Sequence, residues 1–528
     1  MRSKLLTALG LVGLLAVSWF GGNLTRAQNQ GQSATQQSEA AQVNAFMAQQ
    51  QQAERDFKDP QFFSPESTPR WPLIGPLQRY SSIKAEKLLG YIKEQVDFSY
   101  KSRDQGDQLW GRITGTQIDA EDAAWFMSTL RKIGVTDVHQ EMLDLPPQAT
   151  TKSWEATVSG NGKAIKLDSA VAVKQAPGTP NGSMQELECA WVGLGTEADF
   201  AGRDVKGKAV FAYAVPLPGT WKNSGLSNGV GPRAEAHGAA MVFLIVGIPG
   251  NQKEVFSAGT TKIPGFLIGN NDGREVRELI EQSSSGEAPH VKVRSDIEMV
   301  AGEKTSLVWG VIPGMTDEKV IINAHRDGYF EAADDNASGV ATALGLAEYF
   351  VRLPKAQRHR TIVIVVNPGH HNTAVGIQWM VAHKDTFFAK TALLINAEHT
   401  GQYGADTYGY RLLPTNTPWN FDWYVGGGDA LEPIVIRDWD QFGISRYLKA
   451  TSNGSGDLSA LSHLAPSIDL IQASPFYHSD RDTLASISPW CIENVTRSYA
   501  KIIEDLDSVS LQRLAWPAAP GKGLAGEQ

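Results

Sequence analysis

Short apolar runs alternate with amphipathic segments from residue 308 onward, and this alternation leaves few folds open. The apolar runs have the length of strands, and the segments between them carry apolar residues at helical spacing. The pattern predicts strands at 320–322, 361–366, 391–395 and 467–471, and helices at 340–353 and 489–506. Continuous apolar strands joined by helices indicate an α/β fold, with a mainly parallel mixed sheet covered by helices on both faces.

The remainder of the chain divides by composition. Residues 85–145 have helical patterning, with one helix ending near Gly134, whereas residues 151–305 have short apolar runs between Gly- and Pro-rich turns. That second pattern is typical of a β-rich domain. The predicted order is a signal peptide at 1–27, a Gln-rich linker at 28–70, the first part of the main domain at 71–150, an inserted β-rich domain at 151–305, the rest of the main domain at 306–510 and a tail at 511–528.

The first 27 residues have the features of a secretory signal peptide. Arg2 and Lys4 precede an uncharged apolar run at 5–20, which is shorter than the roughly 20 residues that a membrane-spanning helix needs. The triplet Thr25-Arg26-Ala27 suits signal peptidase. We expect a secreted or periplasmic protein without a stable membrane span, and an uncleaved anchor is the alternative.

Charge and cysteine content exclude several classes of protein. A formal net charge of −9 argues against a nucleic-acid-binding protein, which needs a basic face. Only two cysteines, Cys189 and Cys491, are present, so a disulfide scaffold and a cysteine-rich zinc module are excluded, and a single bridge stays open. The sequence is compatible with a homodimer but does not give the oligomeric state.

Side chains that bind metals follow the predicted strands of the main domain. The carboxyl ends of parallel strands meet at one edge of a sheet, so these residues are expected to converge. Each alone has an ordinary explanation, such as a helix cap or a hydrogen-bonded histidine. Together, imidazoles and carboxylates suit zinc, and a carboxylate can bridge two ions. The candidates are His325, Asp327, Asp335, His370, His371, Glu398, His399 and His478. Asp327 is predicted to orient the ring of His325.

Residues 325–339 resemble the metal-binding loop of the co-catalytic zinc exopeptidases, the family of bacterial aminopeptidases, glutamate carboxypeptidase and the transferrin receptor. The resemblance covers most of residues 85–507 with the motifs in the same order. Residues 190–280, through 204–210 and 236–239, resemble the protease-associated domain that several members carry as an insertion. The resemblance implies a zinc-exopeptidase-like fold and two zinc ions, with another divalent metal as the alternative.

The resemblance also implies roles for individual residues. His325, Asp335 and Glu398 would bind one ion, and Asp335, His371 and His478 the other, so that Asp335 bridges them. Tyr477 stands where members of the family use a tyrosine hydroxyl to stabilise the oxyanion. The Asp335–Asn336 peptide would be cis.

The sequence departs from the family after the strand at 361–366. The family has a Glu-Glu pair there, a general base followed by a metal ligand, and this chain has His370 and His371. His371 remains a competent zinc ligand. His370, with an ordinary pKa of about 6.5, takes the place of the base. Losing a carboxylate leaves the ions less neutralised, which favours deprotonation of a bound water and weakens binding of the second ion.

The substrate is poorly constrained. In the family the stretch corresponding to residues 401–465 shapes the specificity pocket, and here it is rich in Tyr, Trp and Gly. Arg411 or Arg437 would suit a substrate carboxylate, although aromatic core residues with surface arginines explain the composition equally well. We predict a metal-dependent exopeptidase acting on peptides or small amides. A hydrolase for other substrates and a non-catalytic peptide- or protein-binding module are the alternatives.

Overall fold

The structure is a computed structural model that describes residues 72–173, 176–214, 229–255, 261–283, 287–408, 411–472 and 474–516. The predicted signal peptide, the linker and most of the tail lie outside these residues. The side chains of 406–408, 411–414 and 416 are also not described. None of the described helices has both the length and the apolar character needed to span a membrane.

Helices and strands are interspersed along the chain. The strands are β1 (Gly111–Arg112), β2 (Asp137–Asp144), β3 (Gln148–Gly160), β4 (Lys163–Lys166), β5 (Val171–Ala172), β6 (Gln185–Trp191), β7 (Ala209–Ala214), β8 (Met241–Val246), β9 (Gly265–Ile268), β10 (His290–Val300), β11 (Lys304–Ile312), β12 (Lys319–His325), β13 (Gly328–Tyr329), β14 (Thr361–Asn367), β15 (Thr391–Ala397), β16 (Tyr403–Tyr408), β17 (Arg411–Pro418), β18 (Phe421–Gly426), β19 (Arg446–Lys449) and β20 (Ser467–Ile471). The helices are α1 (Ala85–Asp104), α2 (Gln117–Ile133), α3 (Glu197–Phe200), α4 (Val230–Ala236), α5 (Asn270–Gln282), α6 (Gly339–Arg352), α7 (Val375–Ala382), α8 (Lys384–Phe387), α9 (Leu431–Gln441), α10 (Leu458–Leu461), α11 (Pro489–Asp505) and α12 (Leu511–Leu514).

The main sheet has the strand order β19-β18-β20-β15-β12-β14-β11-β2. Its centre, β20 through β14, is parallel, and β11 and β2 add an antiparallel edge. Every residue of β15 and all but the first residue of β12 and β14 are buried, which explains why these strands lack polar alternation. The predicted α/β fold with a mainly parallel mixed sheet is confirmed.

Helices cover both faces of this sheet. Val320 and Ile322 pack into a large core with α1, α6 and α11, whereas Ile321 and Val363 face a second core on the opposite side with residues of α7. Successive side chains of a strand point to opposite faces, so the two cores alternate along each strand. The sheet is thereby held rigidly, and the ends of its strands have fixed positions.

A second sheet, with the order β4-β3-β10-β6-β7-β8-β9-β5, is formed by residues 148–300. The chain leaves the main sheet after β2 and returns in β11, and these two strands pair with each other, Leu143 opposite Thr305. The segment therefore departs from and rejoins the main sheet at one edge. Cys189, in this sheet, and Cys491, in α11, are both buried free thiols, so they form no bridge.

Candidate metal centre

The predicted ligands meet at the carboxyl ends of three parallel strands. His325 is the last residue of β12, and Glu398 directly follows β15. His371 lies in the turn after β14, and β12 and β14 are in parallel register with His325 opposite Asn367. Asp335 comes from a tight turn before α6, where the Asp335–Asn336 peptide is cis, as expected. His478, from the segment after β20, completes the group, and all five side chains are buried.

The carboxylate of Asp335 lies at the centre of this group. Its Oδ1 is 3.3 Å from Nε2 of His325. Its Oδ2 is 3.2 Å from Nε2 of His371 and 3.1 Å from Nε2 of His478. Glu398 Oε1 lies 3.8 Å from Nε2 of His325. The two oxygens of Asp335 thus face different donors, Oδ1 facing His325 and Oδ2 facing His371 and His478. This is the arrangement of a bridging carboxylate.

The imidazoles are oriented through their Nδ1 atoms. Nδ1 of His325 lies 3.1 Å from the carbonyl oxygen of Asp327, and Nδ1 of His478 lies 3.1 Å from that of Val255. Nδ1 of His371 is 3.2 Å from a carboxylate oxygen of Asp327. Because these oxygens only accept hydrogen bonds, each Nδ1 carries the proton and each Nε2 presents its lone pair to Asp335.

Such an arrangement fits a cation. Nε2 of His371 and Nε2 of His478 are only 3.0 Å apart, although both present lone pairs. Nε2 of His325 and Oδ1 of Asp335 are buried without a hydrogen-bond partner in the described part of the chain. Buried polar atoms are rarely left in this condition, and a shared divalent cation satisfies all of them. The donors, imidazole nitrogens and carboxylate oxygens, are those that zinc prefers.

Asp327 contacts the ring of His325, as predicted, through its backbone carbonyl, whereas its carboxylate lies closer to His371. Its carboxylate accepts from the backbone N–H groups of His370 and His371, at 3.1 and 2.9 Å, as well as from the ring of His371. It lies farther, 3.7 Å, from the ring of His325, which the carbonyl of Asp327 holds instead. Burial raises the pKa of Asp327, but its interactions with the rings of His325 and His371 outweigh it and hold that pKa well below its usual value.

His370 lies beside the cluster and is hydrogen-bonded to the carboxylate of Asp457, to which the sequence analysis gave no role. Its Nδ1 is 2.6 Å from Oδ1 of Asp457, its ring stacks on His325 at 4.0 Å, and its Nε2 is 3.7 Å from Oε1 of Glu398. Burial and the charge of His325 lower the pKa of His370, but Asp457 and Glu398 outweigh them and raise it overall. Asp457 is itself fixed by Asn367 Nδ2 at 2.6 Å.

His399 also enters the cluster, although the resemblance assigned it to neither ion. Its Nε2 is 3.1 Å from Oδ1 of Asp335. Burial lowers the pKa of His399, but the charges and hydrogen bonding of Asp335, with Asp334 and Glu398, outweigh it and raise that pKa to about 10. The negative field that favours a proton on His399 equally favours a metal cation at the same place.

Of the remaining predicted residues, Tyr477 lies beside the cluster and Arg437 does not. The ring of Tyr477 lies 3.6 Å from that of His478 and 5.4 Å from that of His399. Burial, with the charge of Asp335 next, holds the pKa of Tyr477 well above its usual value, so its hydroxyl keeps its proton. Arg437, on α9, forms ion pairs with Asp438 and Asp505 and is not brought into the cluster. The side chain of Arg411 is outside the described part of the chain.

Known peptidases are similar to this chain in sequence profile and in fold. Residues 308–503, from β11 to α11, match the sequence profile of Peptidase family M28. A Peptidase M28 precursor from Shewanella amazonensis SB2B is 18% identical, with a TM-score of 0.64 over 84% of this chain and 99% of that one. BSAP, a zinc aminopeptidase from Bacillus subtilis, is 17% identical, with a TM-score of 0.57 over 82% and 98%. An aminopeptidase from Aneurinibacillus sp. strain AM-1 is 17% identical, with a TM-score of 0.52 over 83% and 96%. A search of curated proteins found no match. The family match confirms the resemblance of residues 308–503 to the co-catalytic zinc exopeptidases.

Proposed function

Since residues 308–503 form a domain of Peptidase family M28, among the co-catalytic zinc exopeptidases, we propose that this chain is a metal-dependent aminopeptidase that removes residues from peptides with a free N-terminus. The observation that carries the proposal is the convergence of imidazole Nε2 atoms and carboxylate oxygens around Asp335. Three solved structures with this fold bear the names of aminopeptidases or of an M28 peptidase, which supports the same assignment.

The ligand sets follow from the distances. His325, Asp335 and Glu398 would hold one ion, and Asp335, His371 and His478 the other. Two bound divalent cations would supply Lewis acidity to the carbonyl of the scissile bond. Tyr477, whose buried hydroxyl remains protonated, would donate a hydrogen bond to the oxygen on which negative charge develops.

His370 is proposed as the general base, with Asp457 as its positioning residue. The hydrogen bond of 2.6 Å to Asp457 keeps the proton of the neutral ring on Nδ1 and leaves Nε2 facing Glu398 and the cluster. In this orientation Nε2 would take a proton from the attacking water and return it to the leaving amine. A carboxylate behind the imidazole also stabilises the charged ring that this transfer creates.

One observation favours a second candidate, a non-catalytic peptide-binding module. Both positions that carry glutamates in the family are histidines here, and His370 stacks on the ligand His325, which restricts its movement. A chain that binds metal and peptide without releasing amino acids would have this second function.

Amino-acid release from a dipeptide library, by protein reconstituted with Zn²⁺, tests the proposal. We expect release from free dipeptides, no release from their N-acetylated forms and loss of activity in His325→Ala. His383→Ala is the matched control, because His383 is exposed and its ring contacts Trp379, with Nδ1 bonded to the carbonyl of Trp379 and the ring stacked on the indole at 4.0 Å. Zinc-loaded wild-type protein that releases nothing supports the binding module, and activity that persists in His325→Ala refutes the site.

Two further assignments belong to the same proposal. Residues 151–305 are proposed to be a protease-associated domain, and the separate sheet that leaves and rejoins the main sheet at one edge supports an insertion. Export by the segment at 1–27 remains a proposal from the sequence, and a peptidase acting on peptides outside the cytoplasm is consistent with it.

A further inference from the structure

His399 approaches the same oxygen of Asp335 as His325 does, on the Glu398 side of the cluster. We propose that His399 is a fourth protein ligand of the ion bound by His325, Asp335 and Glu398, so that this ion has a closed coordination shell and the second ion an open one. The inference rests on the proposed metal-dependent function. It adds a difference in the number of protein ligands between the two ions, which the resemblance does not imply.

Four separations among these donor atoms are close to those that one cation requires. Oδ1 of Asp335 lies 3.3 Å from Nε2 of His325 and 3.1 Å from Nε2 of His399. Oε1 of Glu398 lies 3.8 and 4.0 Å from the same two nitrogens. A tetrahedral zinc site with bonds of about 2.0–2.1 Å has donors about 3.3 Å apart, so Glu398 needs to approach the two nitrogens by about 0.5–0.7 Å.

Two of these atoms point independently to a ligand. Nε2 of His325 and Oδ1 of Asp335 are completely buried and have no hydrogen-bond partner among the residues that the structure describes, although they face each other. In the neutral ring with its proton on Nδ1, which faces a carbonyl oxygen, His325 has no proton to join the two atoms. A cation between them satisfies both, and Nε2 of His399 faces the same space.

The backbone fixes His399 in this orientation. Its φ is +48°, a left-handed conformation that is uncommon for residues other than glycine. Two hydrogen bonds hold it there: its N–H donates to Oδ1 of Asn336 at 3.2 Å, and its Nδ1 donates to the carbonyl of Gln472 at 3.0 Å. With Nδ1 committed to a carbonyl, Nε2 is the atom presented to Asp335.

The second set of ligands is smaller. Asp335, His371 and His478 place their donor atoms close together on the other side of the bridging carboxylate. Sites with four protein ligands retain their metal, whereas sites with three keep a position for water or substrate. The first ion is therefore the permanently held one, and the second is the exchangeable one at which substrate binds.

Titration of the metal-free protein with Co²⁺ and Zn²⁺ tests the inference without any activity measurement. We expect one tight equivalent followed by a weaker one in the wild type. His399→Ala should weaken the tight equivalent by at least tenfold, whereas His371→Ala should leave it unchanged and remove the weaker one. His383→Ala serves as the control. Tight binding in His399→Ala equal to that of the control overturns the inference.

Proton NMR of His371→Ala with one equivalent of Co²⁺ answers the same question if His399→Ala does not fold, because this variant keeps only one imidazole, His478, in the second set. Exchangeable Nδ1 protons of coordinated imidazoles are strongly shifted by the cobalt. His325 and His399 together predict two such signals, and a single signal overturns the inference. A zinc-loaded protein that shows both the tight equivalent and two signals but releases no amino acid refutes the proposed peptidase function and leaves the fourth ligand supported.

Discussion

Gly456 controls the space in which Glu398 can bind a metal. Its φ is +52°, and a Cβ added there would lie 2.1 Å from Oε2 and 2.2 Å from Oε1 of Glu398, whereas real Cβ contacts are essentially never shorter than 3.0 Å. In Gly456→Ala the carboxylate therefore has to retreat by about 0.9 Å or the loop has to move. Glu398 is buried and held by Asn396 Nδ2 at 2.9 Å, so either adjustment breaks established contacts.

We expect Gly456→Ala to weaken the tighter metal equivalent by about tenfold to a hundredfold, the range found when groups around a metal ligand are disturbed, which corresponds to about 1.4–2.7 kcal/mol. Competition of the protein with a chromophoric chelator for Zn²⁺ measures this affinity. Gly162→Ala is the matched control, because its φ is +73° and its Cβ would meet nothing within 4 Å. Both variants bear the cost of a left-handed alanine, about 1 kcal/mol of stability. Equal zinc affinity in the two variants would refute the role given to Glu398.

Three other predictions concern the base, a buried acid and the metal. Asp457→Asn should lower kcat by about 10²–10⁴-fold while KM and metal content stay constant, because His370 loses the partner that sets its tautomer; a KM effect alone contradicts this. Burial raises the pKa of Asp122 to about 7, so the folded state binds this proton more tightly than the unfolded chain, and the stability it contributes falls between about pH 4 and pH 7 by up to about 4 kcal/mol. Urea unfolding of Asp122→Asn should lack that decline. Chelation should lower Tm, and Zn²⁺ should restore it; an unchanged Tm argues against a bound ion.

The sequence was informative where a ligand follows a strand directly. His325 ends β12 and Glu398 follows β15, so the rule that ligands lie beyond the carboxyl ends of strands located both. Asp457 could not be found in this way. It lies in the segment just before α10, and its contact with His370 depends on the packing of that segment against Asn367, which has no local signal in the sequence.

His399 differs from Asp457, because strand alternation argues against its binding the same ion as Glu398. Adjacent residues of an extended strand point to opposite faces, so an extended backbone at 398–399 would direct the two side chains away from each other. The left-handed backbone at His399, φ +48°, breaks the alternation and returns its ring to the side of Glu398. Histidine adopts this conformation more often than most residues, but nothing in the neighbouring sequence indicates where it does so.

The replacement of two glutamates by histidines removes less charge from the centre than the sequence suggests. Each new imidazole is hydrogen-bonded to a carboxylate of its own, His370 to Asp457 at 2.6 Å and His371 to Asp327 at 3.2 Å. The pKa of Asp327 is held well below its usual value and that of Asp457 is lowered to about 2, so both carry full negative charge. An imidazole backed by a carboxylate is a stronger donor than imidazole alone. Negative charge is thus present one hydrogen bond outward from the proposed ion positions, and the second ion should be weakened rather than lost.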